Sequence, residues 1–287
     1  KKIMRINTNI SSLMAQESSR NTSLNINSSL EKLSSGLRIN KASDDASGLA
    51  IADKLRTQAS SLSKAVDNVN SAISLTQIAD KAMSEQSSIL DTIKSKMIQA
   101  STDTTSSAGR ESIRKDVSKL LTQLDNIAMQ TNYNGTQLLQ TGTAKDGAAL
   151  AADLSFNVGE NASALISVGS GIRSNSAGLG LDTLRDTAAD GLTAADAKTA
   201  LQTIDDAITT LNGWRGDFGS TQNQLESAGR NLLTQVTNIK AAESVIRDVD
   251  YAAESANFNR QNIIAQAGSF ALSQANVVQQ NVLRLLQ

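Results

Sequence analysis

The sequence predicts a mainly α protein: a long antiparallel helical coiled-coil rod with a small β-hairpin cap, whose terminal helices pair on assembly. Three observations carry this. The 287 residues contain no Pro, where ordinary usage would supply about 14. Proline breaks helix interiors by removing a donor and clashing with the preceding turn, so a chain without it permits very long helices. Apolar residues recur at steps of three, four and seven over most of the chain, the spacing of helix–helix seams. Only 2% of residues are aromatic while 39% are hydrophobic, a mixture suited to thin seams rather than one thick core.

The elements follow in order. Residues 1–44 form the first segment, with Ile6, Ile10 and Leu13 at helical spacing. A polar stretch from Gln16 to Ser23 interrupts the stripe, which resumes at Leu24, Leu30, Leu33 and Leu37. Gly36 marks a break, and Asp44 and Asp45 precede a much longer pattern. In segment 45–139, Leu55, Leu62, Val66, Val69 and Ile73 keep heptad spacing, continued by Met83, Leu90 and Met97. A single helix from Asp45 to Ala100 would be about 85 Å long, beyond an ordinary globular helix. A Ser/Thr-rich turn follows at 101–109. Then Ile113, Val117, Leu120, Leu124, Ile127 and Thr131 step 4-3-4-3-4. Asn134-Gly135 ends this helix with a strong turn signal.

Segment 140–192 changes character. Glycines cluster, and residues 154–158 and 165–168 alternate at period two, which predicts a short β-hairpin cap. Helical spacing returns in segment 193–250, at Ala197, Leu201, Ile204, Ile208 and Leu211. Gly213, Gly216 and Gly219 predict a kink or break. Leu225, Leu232, Val236, Ile239 and Ile246 then resume the stripe. Segment 251–287 reads as a last helix with Ile264, Ala267, Ala271, Val278, Val282 and Leu285 on one face and Leu286 beyond.

The terminal stripes are too long and narrow to be buried within one chain. They are expected to pair with each other and with neighbouring subunits, and to be largely disordered in the free monomer. Ordering costs about 1–2 kcal/mol per residue, and association would offset it at about 25 cal/mol per Å² of apolar surface. The expected assembly residues are therefore Ile6, Ile10, Leu13, Leu24, Leu30, Leu33, Leu37, Ile264, Ala267, Ala271, Val278, Val282, Leu285 and Leu286. Arg38, Asp44 and Asp45 join them; a contact between Arg38 and Asp44 could form within or between subunits.

Composition excludes much else. With no Cys and no His there is no disulfide framework, thiolate, imidazole base or His metal ligand; Lys–Ser or paired-carboxylate chemistry stays open on composition, and no cofactor, metal site or enzymatic activity is expected. The net charge of −1 gives no nucleic-acid footprint. The uncharged run from Gln261 to Leu283 holds repeated Gln, Asn and Ser, so no membrane span is expected. The terminal helices lack the Lys/Arg-rich polar face of membrane-surface helices. Asp44-Asp45 reads as a capped turn rather than a metal dyad. Arg215-Gly216-Asp217 lies in a helical pattern and cannot present the extended loop that such a tripeptide needs for adhesion.

Several stretches together resemble bacterial flagellin. Residues 33–40 (LSSGLRIN) with 42–52 (ASDDASGLAIA) are similar to the amino-terminal signature. Residues 6–9 (INTN), 131–139 (TNYNGTQLL), 241–254 (AAESVIRDVDYAAE), 274–276 (QAN) and 280–286 (QNVLRLL) are similar to further family motifs in the expected order. The resemblance implies a secreted structural subunit of the extracellular flagellar filament, used for swimming. It implies an inner tube built from the two termini and a surrounding rod layer. The short middle segment implies a form with little or no outer variable domain. Implied partners are further copies of the chain, an export chaperone, and hook-junction and cap proteins. A hook–filament junction protein and a surface carbohydrate-binding or adhesive homologue are the alternatives. The adhesive reading lacks an aromatic-lined groove, since Phe156 is the cap's sole aromatic residue. The family's innate immune receptor reads a helix that here carries Thr92 and Lys96, with Asp116 on the next helix. These depart from the family pattern and imply weak or absent signalling. Ser163, Ser167, Ser170, Ser174, Ser176 and Thr183 are candidates for the O-linked sugars some relatives carry.

Overall fold

A computed structural model describes residues 8–141, 154–168, 171–186 and 191–285. Ile6, Ser170 and Leu286 lie outside the described residues, as do the side chains of Val282 and Leu285. The described chain is mainly helical: α1 (Ile10–Ser35), α2 (Ala46–Ala100), α3 (Ser107–Gln130), the short α4 (Asp182–Asp186), α5 (Ala194–Arg247) and α6 (Tyr251–Leu285). Two antiparallel pairs complete it, β1 (Asn132–Tyr133) with β2 (Thr136–Gln137), and β3 (Leu154–Asn157) with β4 (Leu165–Val168).

Local chemistry starts and stops these helices. The side chain of Asn9 accepts the Ser12 N–H at the head of α1, and Ser106 accepts the Gly109 N–H at the head of α3. Asp45 accepts from the Gly48 N–H, and Asp250 accepts from the N–H groups of Ala252 and Ala253. Thr193 and Asp196 bond each other reciprocally before α5. Each contact satisfies an N–H that a helix start leaves open. Gly36 closes α1 in the left-handed region at φ 75°, as a helix end of this type requires. Asn134 and Gly135, at φ 50° and 82°, form the two-residue β1–β2 turn the dipeptide predicts.

The chain divides into two compact units. One comprises residues 60–236, the other residues 1–59 with 237–287; the boundaries fall inside α2 and α5.

The first of these holds the large core. Met83, Leu90, Ile93 and Met97 of α2 meet Val117, Leu121 and Leu124 of α3 and Ile204, Leu211 and Phe218 of α5, all essentially buried. In α3 Ile113, Val117 and Leu124 of the stripe read in the sequence are buried, while Leu121 and Ala128 take the seam positions beside Leu120 and Ile127, which pack at its edge. Gly229 lets α2 and α5 approach, since a Cβ there would lie 3.2 Å from Val69. Interhelical ion pairs join Lys94 to Asp205, Lys96 to Asp116 at 2.9 Å and Arg215 to Asp80 at 3.0 Å.

Of the kink or break expected at Gly213, Gly216 and Gly219, no break occurs; α5 runs through them. Leu211 and Phe218 are buried on the inner side and Arg215 is tied to Asp80. Tertiary anchoring overrides the low helix propensity of the exposed glycines. Arg215-Gly216-Asp217 is helical, as its setting in the sequence implied.

Beyond α3, Val168 of the β3–β4 pair is buried, and Leu154 and Phe156 pack against the core. The irregular segment 171–181 is drawn inward by Ile172, Leu179 and Leu181. Buried polar bonds fasten it. Ser176 donates through its N–H (2.7 Å) and hydroxyl (3.0 Å) to Asp125, and Gln86 donates to the carbonyls of Leu124 and Ser174. Buried polar groups need such partners, because an unpaired one costs about 1–3 kcal/mol.

Candidate functional site

The candidate site is the helix pair α1–α6 in the second unit. The two helices run antiparallel. Asn9 Nδ2 donates to the Ala275 carbonyl at 3.0 Å, Ser12 Oγ donates to Asn276 Oδ1 at 2.9 Å, and Tyr251 Oη donates to the Leu33 carbonyl at 2.7 Å. Strands of backbone crossing beside them are bonded as well. The Arg38 N–H donates to the Arg247 carbonyl at 2.7 Å, and the Val249 N–H to the Gly36 carbonyl at 3.0 Å.

The line of α1 with the lowest exposure is Ser12, Ala15, Ser19, Thr22, Ile26 and Ser29, of which Thr22 and Ser29 are fully buried. These residues recur at three and four, so they share one face. The facing line of α6 includes Phe258, Ala265, Gly268, Leu272 and Ala275, all half-buried. The seam is therefore mostly small and polar. Among the described residues of α6 none is fully buried.

The large apolar residues point elsewhere. Ile10, Leu13, Leu24 and Leu30 are all more than half exposed, and so is Met14 beside them. On α6, Ile264, Ala267, Ala271 and Val278 are exposed, with Ile263, Val277 and Phe270, the last at 73%. At 100° per residue, most of these lie on the side of each helix opposite the seam. Leu33 and Leu37 are half-buried near the end of α1. The sequence stripe thus marks an outward face, not the contact within the chain.

At the turn between α1 and α2, Asp44 Oδ2 accepts the N–H groups of Asn40 (3.1 Å) and Lys41 (3.0 Å). The backbone bond from Lys41, then that from Asn40, holds its carboxyl below the usual range. Asp45 caps α2. Within the chain, no Arg38–Asp44 contact forms among the described residues. The Arg38 guanidinium instead donates to the Ile246 carbonyl at 2.6 Å, because the backbone bond between Arg38 and Arg247 brings that carbonyl within reach.

Two of the glycosylation candidates are corrected by their burial. Ser174 and Ser176 are 0% exposed, and the Ser176 hydroxyl is bonded to Asp125, so neither hydroxyl can carry a sugar in this fold. Ser163, Ser167 and Thr183 are exposed. No helix among the described residues is long and apolar enough to cross a membrane.

A paired helix whose large apolar side chains face away from its own chain defines a self-associating structural subunit. Comparison with known proteins places it further. Residues 6–144 match the bacterial flagellin N-terminal helical region and residues 201–286 the C-terminal helical region. The flagellar filament 33 kDa core protein of Treponema phagedenis is 36% identical over 99% of this chain and 100% of its own length. The flagellin of Bacillus subtilis strain 168 is 39% identical, with coverage of 99% and 100%. A solved Vibrio parahaemolyticus structure, assigned as a flagellar hook-associated protein, covers 71% of this chain and 99% of its own. Its TM-score is 0.60 at 11% identity, which bears on the fold alone. The chain belongs to the bacterial flagellin family, a family of structural subunits of the flagellar filament.

Proposed function

We propose a division of labour within this filament subunit. Segments 45–139, 140–192 and 193–250 supply the rod and its cap, and segments 1–44 and 251–287 supply an inner layer completed by further copies of the chain. One observation carries this: the large apolar residues of α1 and α6 are exposed on the side away from their mutual seam. Each such side chain contributes about 1.5–3 kcal/mol when fully covered. Both faces carry few charges, and α6 has none from Gln261 to its penultimate turn, so identical copies can approach without repulsion. Ile10, Leu13, Leu24, Leu30, Ile264, Ala267, Ala271 and Val278 are the contact residues of this reading, with Ile6, Val282, Leu285 and Leu286 extending it in sequence. Asp44 and Asp45 act by fixing the turn that holds α1 and α2.

The same faces offer an export chaperone its binding surface before assembly. Hook-junction and cap proteins, sharing the helical ends by family resemblance, abut the filament's two extremities. The filament is extracellular and serves motility. Exposed Ser163, Ser167 and Thr183 are sugar acceptors on this reading, together with Ser170, which lies outside the described residues. At the receptor-facing helix, Lys96 is engaged by Asp116 and Thr92 donates to the Ser88 carbonyl, which supports weak immune signalling. A reporter-cell assay at ordinary potency would contradict that last point.

The test is removal of residues 252–287. The truncated chain is expected to remain a soluble, helical protein by circular dichroism yet to form no filaments on seeding. Normal filaments from it would overturn the division of labour.

A further inference from the structure

Methionines divide by exposure in this chain. Met83 and Met97 are buried in the core, Met129 is half-buried, and Met14 is 66% exposed on α1. Met4 lies outside the described residues. Met14 follows Leu13 and sits one turn after Ile10, so its thioether belongs to the outward apolar face. It borders a shallow concavity of about 320 Å³ lined also by Glu17, Ser18, Asn21, Thr22 and Asn25.

A thioether in that place has two properties. It is open to solvent in the free subunit, and it is covered once other copies pack on α1. Methionine fills irregular apolar contacts well because it is flexible and polarisable. Oxidation converts it to a polar, chiral sulfoxide and disrupts such contacts.

We propose that Met14 is a modification site at which peroxides control incorporation of the subunit. The sulfur attacks one peroxide oxygen, the O–O bond breaks and the S–O bond forms. Sulfur loses two electrons, and hydrogen peroxide leaves as water. The oxidised side chain then meets the neighbouring copy with a polar group where an apolar one is required. Polymerised subunits shield the same sulfur, so the free pool is the sensitive form. The step is reversible, since methionine sulfoxide reductases restore the thioether. This inference rests on the proposed covering of the α1 face by further copies.

The experiment compares the full chain with Met14→Leu, a swap of similar volume and polarity. Both are treated as free subunits with hydrogen peroxide, and seeded elongation on filament fragments is followed by light scattering. The tryptic peptide 6–20 holds Met14 as its sole methionine, so mass mapping reports oxidation there directly. Oxidation is expected to raise the critical concentration of the full chain about tenfold, the loss of one methionine's burial. Treatment with reductases should restore it, and Met14→Leu should elongate equally before and after peroxide. Preformed filaments should resist oxidation in peptide 6–20. Unchanged elongation of the oxidised chain would overturn the proposal, as would an equal loss in Met14→Leu. Failure of the untreated chain to extend seeds would instead overturn the self-association reading beneath it.

Discussion

The two units of this chain solve opposite problems. Residues 60–236 bury their own large side chains: Met83, Leu90, Ile93, Met97, Leu121, Leu124, Leu211 and Phe218 are nearly inaccessible. In residues 1–59 with 237–287, the buried apolar residues are Ile39, Ala52 and Ala59 alone among those described. Exposure runs the other way. Of the large apolar residues left open among those described, only Ile78, Ile98, Leu165 and Leu233 belong to the first group, while the terminal unit exposes thirteen. Both use the same materials, namely helices with apolar stripes and capped starts. The difference is where the stripe finds its partner. One unit is closed by its own three long helices. The other stays open, and in the proposed assembly its stability belongs to the polymer and scales with subunit concentration.

Substitutions on the two sides should therefore separate monomer stability from assembly. Leu124→Ala should destabilise the monomer by about 2–5 kcal/mol, the cost of a core cavity, seen as a lower Tm. Phe270→Ala should leave that Tm unchanged and yet raise the critical concentration for polymerisation strongly. A Tm loss of similar size in both would break the comparison.

A smaller effect sharpens the picture of the closed unit. Asp125→Ala removes the acceptor of the Ser176 N–H and hydroxyl. Stability should fall by about 1–3 kcal/mol, and hydrogen exchange should quicken first in residues 171–181.

The smallest effect is the response to acid. In the closed unit, the Lys96 ammonium bonded to Asp116 holds that carboxyl below its usual range. Arg114 does the same for Glu111, and the Thr193 hydroxyl and N–H for Asp196. In each case the unfolded chain binds protons more readily than the folded one. The stabilisation is complete above the ordinary carboxylate value near pH 4 and is lost as pH falls through the lowered folded values. These groups are exposed, so each contributes little. Asp116→Asn should lower stability slightly at pH 7 and leave it unchanged below the lowered folded value, so that the acid limb flattens.

Much of the architecture was legible because the seams repeat. Met83, Leu90 and Met97 at sevens, and Ile204 to Leu211 at seven, marked buried lines that the fold keeps. Asn134-Gly135 marked its turn, since few other residues adopt two successive positive φ values at low cost. Other features were hidden for physical reasons. Gly213, Gly216 and Gly219 signal a break by propensity, and the anchoring of Phe218 and Arg215 outweighs it. Segment 171–181 shows no helical or strand period in the sequence, and only the fold shows Ile172, Leu179 and Leu181 pulling it inward. Asp125 carries no signal of its own in the sequence, and only the fold shows it accepting from Ser176. For the terminal helices, the stripe at Ile10, Leu13 and Leu24 revealed an apolar face without revealing its partner. Spacing alone cannot distinguish a neighbour in the same chain from one in another.

The central claim is that α1 and α6 gain their stability from other copies. Hydrogen exchange on the solitary, dilute subunit and on the filament tests it most directly. The prediction is rapid exchange across residues 10–35 and 251–285 in the subunit, strong protection of α3 and the facing parts of α2 and α5, and protection throughout in the filament. Terminal helices as protected in the dilute subunit as in the filament would contradict it.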